Sequence, residues 1–284
     1  MREHETGDSF AVRVAAAVRA TGPLCAGIDP SGELLRDWGL GDDVAGLREF
    51  CHICVDAFAG TLGVIKPQVA FFERHGSAGM AELEQLIREA GQAGLIVIAD
   101  AKRGDIDSTA AAYADAWLGS GSPLAADAVT VHPYLGLAAL APMIHLAGHN
   151  GKGVIVVTRS SNLEGRALQE ALTAQGPSVE ESLLAEIAAW NKAGTVPSGT
   201  VGAVIGATLP RSAFPLSQLG GVILAPGLGT QGARPADVAD RFGDCSPGSI
   251  LASSSRSLLA NGPDPASLRK AAAALAHELS TLMG

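Results

Sequence analysis

Eight times along this chain a short apolar run stops abruptly at polar or turn-forming residues, and a helical pattern follows. The runs are Leu24–Ile28, Leu62–Ile65, Leu95–Ala99, Ala128–Val131, Gly153–Val157, Val201–Ile205, Val222–Ala225 and Ile250–Ala252. They are continuous in branched and small apolar residues rather than alternating, as parallel strands covered on both faces are. Each repeat spans roughly 20–45 residues, the size of a βα unit. Eight units in 284 residues predict α/β architecture: a single (β/α)8 TIM barrel domain over residues 1–284, not an open doubly wound sheet. The stretch before Leu24 reads as an N-terminal capping helix. A short helix is expected around Arg211–Leu219. Residues 159–177 read as a long loop after strand five, able to close over a ligand.

Hydrophobic residues make up 47% of the chain and charged ones 17%, ample for such a core, and the formal net charge is −9. That balance argues against nucleic acid or an anionic membrane as partner, since both require a basic face. No run is long and apolar enough to span a membrane. The N-terminus MREHETGDSF is too charged for a signal peptide, and a cytoplasmic protein is expected. Cys51 and Cys54 have CxxC spacing but fall inside an amphipathic helical pattern, with no second ligand pair of suitable spacing. They read as buried apolar thiols, with no metal site and no structural disulfide.

In a barrel the chemistry sits where the strands end. The residues there are Asp29, Lys66, Asp100, Lys102, His132, Thr158, Thr208, Gln231 and Arg256, while the opposite ends are bland. The third run leads into Asp100-Ala-Lys102-Arg-Gly-Asp105-Ile106. Alternation puts Asp100 and Lys102 on one face, one pleat apart. Gly104 breaks the strand, and Asp105 or Asp107 can cap the helix expected over 106–118. Charges facing a cavity are costly unless paired, and such groups are candidates for perturbed pKa values. Each also has a plainer reading. Asp100 and Lys102 could form a structural pair, Asp105 a helix cap, Lys66 a rim lysine and Asp29-Pro30 a turn; His132 reads as a packed rim residue. After run seven, Ala225-Pro-Gly-Leu-Gly-Thr-Gln-Gly232 offers backbone N–H groups to an anion. After run eight, Arg256 can make a bidentate phosphate contact.

The DAKRGDI stretch resembles the DxKxxDI signature of the orotidine 5′-phosphate decarboxylase family, in the form typical of its second sequence group. The resemblance extends over nearly the whole chain. Asp29, Lys66, the Pro226–Gly232 loop with Gln231, and Ser255-Arg256 match the family's pattern in order. Thr158 stands where many members carry a serine that contacts the pyrimidine. The resemblance implies a cofactor-free, metal-free lyase converting orotidine 5′-phosphate to UMP and CO2 in pyrimidine biosynthesis. Catalytic roles fall to Lys102, Asp100, Lys66 and Asp105. Substrate contacts fall to Asp29, Ile106, Thr109, Thr158, Pro226, Gln231, Ser255 and Arg256. It also implies a homodimer in which Asp105, Ile106 and Thr109 complete the neighbour's site.

Three rivals share parts of this pattern. Barrel relatives with the same DxKxxD turn act on sugar phosphates through a metal-stabilised enediolate, but typically carry a glutamate where this chain has Lys66. A Schiff-base aldolase would need one lysine desolvated and unpaired. A non-catalytic phosphate binder would not need alternating charges in a cavity.

Overall fold

Alternate residues of each strand face two different interiors, and that division organises the molecule. The computed structural model describes residues 8–210, 213–246 and 248–284. Helix α1 (Phe10–Thr21) precedes β1 (Leu24–Ile28). Helices α2 (Gly32–Asp37) and α3 (Val44–Phe58) lead to β2 (Val64–Pro67). Helices α4 (Ala70–Glu73) and α5 (Gly76–Gln92) lead to β3 (Ile96–Arg103). Next come α6 (Asp107–Leu118), β4 (Ala128–Val131), α7 (Ala141–His149) and β5 (Gly153–Arg159). The excursion after β5 holds the short α8 (Arg166–Gln169) before α9 (Val179–Lys192) and β6 (Val201–Ile205). The chain ends with β7 (Ile223–Pro226), α10 (Pro235–Phe242), β8 (Ile250–Ser254), α11 (Arg256–Leu259) and α12 (Pro265–Met283).

The eight strands pair in parallel in chain order, and β8 closes on β1. Outward residues such as Leu24, Ile65, Val97 and Val129 pack under the helices. Inward residues such as Cys25, Val64, Ile98, Ile155 and Leu251 form a second, smaller core. Phe10 and Val14 of α1 join that inner core, so α1 closes the end where the strands begin. A Cβ at Gly153 would run into the Phe10 ring, which accounts for glycine at the start of β5. Arg13 fixes the helix there. Its guanidinium meets Asp127 Oδ1 at 2.6 Å, and Asp127 Oδ2 accepts the Val97 N–H at 2.8 Å.

Several boundaries differ from the sequence expectation. β3 does not stop at Ala99 but runs on through Arg103. Between β6 and β7 the described residues form a 3-10 turn, Leu216–Gln218, in place of the expected helix; Arg211 and Ser212 of that stretch lie outside the described residues. Neither Asp105 nor Asp107 caps α6. Ile106 is the N-cap, and Asp107 already sits inside the helix with a φ of 47°. Cys25, Cys51 and Cys54 are buried thiols. Among the described residues no helix is long and apolar enough to cross a membrane.

Candidate active site

The alternation that points Cys25, Val64 and Ile98 into the barrel carries on, two residues at a time, to Asp29, Lys66 and Asp100 at the strand ends. There the strands open into a cavity of about 340 Å³. A larger cavity, about 530 Å³, lies at the opposite end among Val18, Ala20, Phe242 and Ala276. Size does not identify the site; converging charge does.

Asp100 is the hub. Its Oδ2 accepts Lys66 Nζ at 3.0 Å and Gln68 Nε2 at 3.0 Å. Its Oδ1 accepts Lys102 Nζ at 2.6 Å and the Thr130 hydroxyl at 2.8 Å. Burial alone would raise the carboxyl's pKa, but the ammonium groups of Lys66 and Lys102 outweigh it and hold Asp100 well below the usual range. Burial would likewise discharge Lys66, yet Asp100, and after it Asp29, keep that ammonium charged above its ordinary pKa. The two lysines are not equivalent. The Lys66 side chain is 8% exposed and that of Lys102 39%, so Lys102 is the cation a ligand can reach.

Lys102 occupies an irregular stretch. It has a φ of 48°, and the β3–β4 register shifts between Ala99 and Arg103. Bulges of this kind re-aim side chains beside active sites. Behind it, Arg103 bonds the Ala101 carbonyl and Glu73, and its guanidinium lies 5.9 Å from the Tyr113 ring centre and 5.5 Å from that of Trp117. A Cβ at Gly104 would press on the His132 carbonyl, so the turn needs glycine. His132 is not a wall of the cavity; burial, and then Lys102, push its pKa down.

On the other side, the Ser255 hydroxyl donates to Asp29 Oδ2 at 2.6 Å, while Asp29 Oδ1 is buried with no partner among the described residues. Pro226 and Gln231 from the loop after β7, with Ser255 and Arg256, complete that wall. Gly227 and Gly229 take φ values of 114° and 85°, which glycine alone adopts readily. Gln231 Oε1 accepts the Ser161 hydroxyl at 2.9 Å, joining the loop after β5 to the loop after β7.

The structure thus gathers Asp29, Lys66, Asp100, Lys102, Pro226, Gln231, Ser255 and Arg256 around one cavity. It does not bring Thr158 there. The β5–β6 register shifts between Val157 and Arg159, and the Thr158 hydroxyl turns to the Val204 carbonyl at 2.8 Å. Val157, Ser160 and Ser161 face the cavity instead. Asp105, Ile106 and Thr109 also stand outside it; Asp105 Oδ1 accepts the Ile106 N–H at 2.8 Å. Sequence reasoning passed over Gln68 and Thr130. The signal for Gln68 was its place two residues after Lys66, on the same face.

Comparisons with known proteins bear on the family and the fold. The model of the orotidine 5′-phosphate decarboxylase / HUMPS family matches residues 22–271. An orotidine 5′-phosphate decarboxylase of Salinispora arenicola is 51% identical over 265 residues, covering 93% of this chain and 95% of the relative. That of Streptomyces coelicolor is 48% identical over 275 residues, covering 96% and 98%. A crystal structure of a putative orotidine 5′-phosphate decarboxylase from Streptomyces avermitilis superposes with a TM-score of 0.93 at 46% identity, covering 100% of this chain and 99% of that one. With a family model across most of its length and relatives near half identical throughout, this chain belongs to the orotidine 5′-phosphate decarboxylase / HUMPS family.

Proposed function

We propose that this chain decarboxylates orotidine 5′-phosphate to UMP and CO2, the last step of pyrimidine biosynthesis, using only its own side chains. The observation that carries the reading is the Lys66–Asp100–Lys102 array at the strand ends, with its outer ammonium open to the cavity. The C6–carboxylate bond breaks and its electron pair stays on C6, in a ring with no conjugated sink. A fixed cation beside C6 stabilises that charge without reorganising. Lys102 fills this role and then passes a proton to C6, forming the C6–H bond of UMP. Asp100 holds Lys102 and stands against the substrate carboxylate. Lys66 keeps Asp100 ionised. The unpartnered Asp29 Oδ1 suits a sugar hydroxyl donor. Gln231, Arg256 and the glycine-rich backbone before Gln231 suit the phosphate, whose binding energy is remote from the reacting carbon and can be expressed in the transition state.

The metal-dependent alternative is disfavoured by Lys66 itself. It occupies the position of the expected glutamate ligand, and its charge repels a divalent cation. Purified protein should therefore consume orotidylate, read as loss of its absorbance, with EDTA present. No loss under those conditions would sink the reading.

The positions of Asp105, Ile106 and Thr109 support a two-fold dimer. Ile106 is 49% exposed, and Tyr134 and Leu135 on the next loop are 79% and 54% exposed. An apolar rim beside an Asp105 that misses its own cavity suits delivery of that carboxylate to a neighbour, reciprocally. Mixing inactive Lys102→Ala and Asp105→Ala proteins and letting subunits exchange should restore about a quarter of wild-type sites, since half the dimers are mixed and each holds one intact site. No recovery after demonstrated exchange of folded subunits would assign Asp105 to its own subunit.

A further inference from the structure

The β3–β4 ladder is interrupted where the charges sit. Pairing runs through Ile98↔Ala128 and Ala99↔Val129 and resumes at Arg103↔Val131. Asp100, Ala101 and Lys102 therefore lie opposite one residue of β4, Thr130. A bulge of this kind leaves a strand donor without its usual carbonyl. The Lys102 N–H donates instead to Thr130 Oγ1, at 3.1 Å. Since the hydroxyl accepts there, its single hydrogen is free for another partner. It goes to Asp100 Oδ1, 2.8 Å away, and the same oxygen takes the Lys102 ammonium at 2.6 Å. One fully buried hydroxyl closes a ring from the Lys102 backbone, through Asp100, back to the Lys102 side chain.

We propose that Thr130 is a positioning residue for the decarboxylation: its hydroxyl ties the Lys102 backbone and the Asp100 carboxylate together and so fixes where the ammonium stands over the reacting carbon. The proposal rests on the activity assigned above. A threonine that merely filled space would be replaced by valine, its near-isostere, without consequence for turnover. A brace would not. Loosening it lets the ammonium drift from the geometry in which its field acts, and misplacement of about 1 Å can cost on the order of 100-fold in rate.

The test is steady-state kinetics of Thr130→Val and Thr130→Ser on orotidylate, with UMP binding and circular dichroism as checks of the fold. Thr130→Val should lower kcat by about 10- to 100-fold with KM little changed. Thr130→Ser, which keeps the hydroxyl, should recover most of kcat. If valine does not fold, Thr130→Ala against Thr130→Ser makes the same comparison. A folded, hydroxyl-free variant with wild-type kcat, or with a loss confined to KM, overturns the proposal alone. Wild-type protein that leaves orotidylate untouched overturns the activity and this proposal with it.

Discussion

At the end where the strands begin, the inward positions Cys25, Val64, Ile96 and Ala128 meet Phe10 and Val14, and the space is filled. At the end where they finish, the same faces carry Asp29, Lys66, Asp100 and Lys102, and the space is left open. The first end stabilises: burying a phenylalanine contributes about 1.5–3 kcal/mol, and Phe10 is 1% exposed. The second end holds charges out of water, where pairing offsets desolvation and removal of one partner leaves the other exposed to its full cost. One sheet thus separates holding the fold from doing the chemistry by about the length of a strand.

The sharpest way to break this division is Lys102→Ala. Decarboxylation should vanish while UMP binding largely survives; near-wild-type turnover would remove the lysine from the mechanism. The converse is Phe10→Ala. It should cost about 3–5 kcal/mol in denaturant unfolding and leave kcat unchanged at a temperature where the protein stays folded. If kcat falls with it, the two ends are coupled and the division fails. Arg256→Ala tests the outer rim of the open end. It should weaken orotidylate by about 1.5–3 kcal/mol and the phosphate-free nucleoside hardly at all. Equal losses would show that Arg256 does not meet the phosphate.

The smallest effect expected is a flat line. Asp100 has a lowered native pKa, so its contribution to stability is complete above its unfolded value of about 3.9 and drains away as pH falls toward the native one. Lys66 has a raised native pKa, so its contribution is complete below about 10.4 and is lost as pH rises through the native value. Between about pH 5 and 9 the stability difference between wild type and the double variant Lys66→Met/Asp100→Asn, which leaves no lysine buried without its partner, should therefore not change. Denaturation midpoints across that window check it. A slope would mean that the pair is not jointly ionised there.

The barrel was readable because each strand is an apolar run with polar residues at one end only, and that asymmetry also located most of the cavity wall. What escaped depended on backbone detail. β3 continues past Ala99 because a bulge lets polar residues remain in the ladder, and an apolar-run criterion cannot see a bulge. Thr130 lies inside Ala-Val-Thr-Val, where threonine is an ordinary strand former. Thr158 was read as a strand-end polar residue, yet alternation from Ile155 and Val157, which face inward, turns its hydroxyl to the Val204 carbonyl. Asp105 and Asp107 looked equally fit to cap α6 because a cap depends on the dihedral angles around it, which spacing does not encode.

The plug at the closed end has a consequence for how the chain acquires its shape. Helix α1 leaves the ribosome before any strand, yet Arg13 finds Asp127 only 114 residues later and the Gly151 carbonyl 138 residues later. Its apolar face meets Cys25, Val64 and Ile96 of the first three strands but completes its packing only once β4 and β5 exist. Domains generally fold from the N-terminus as they are made. Here a segment made before every strand of the barrel has to wait for about half of them before its docking is complete.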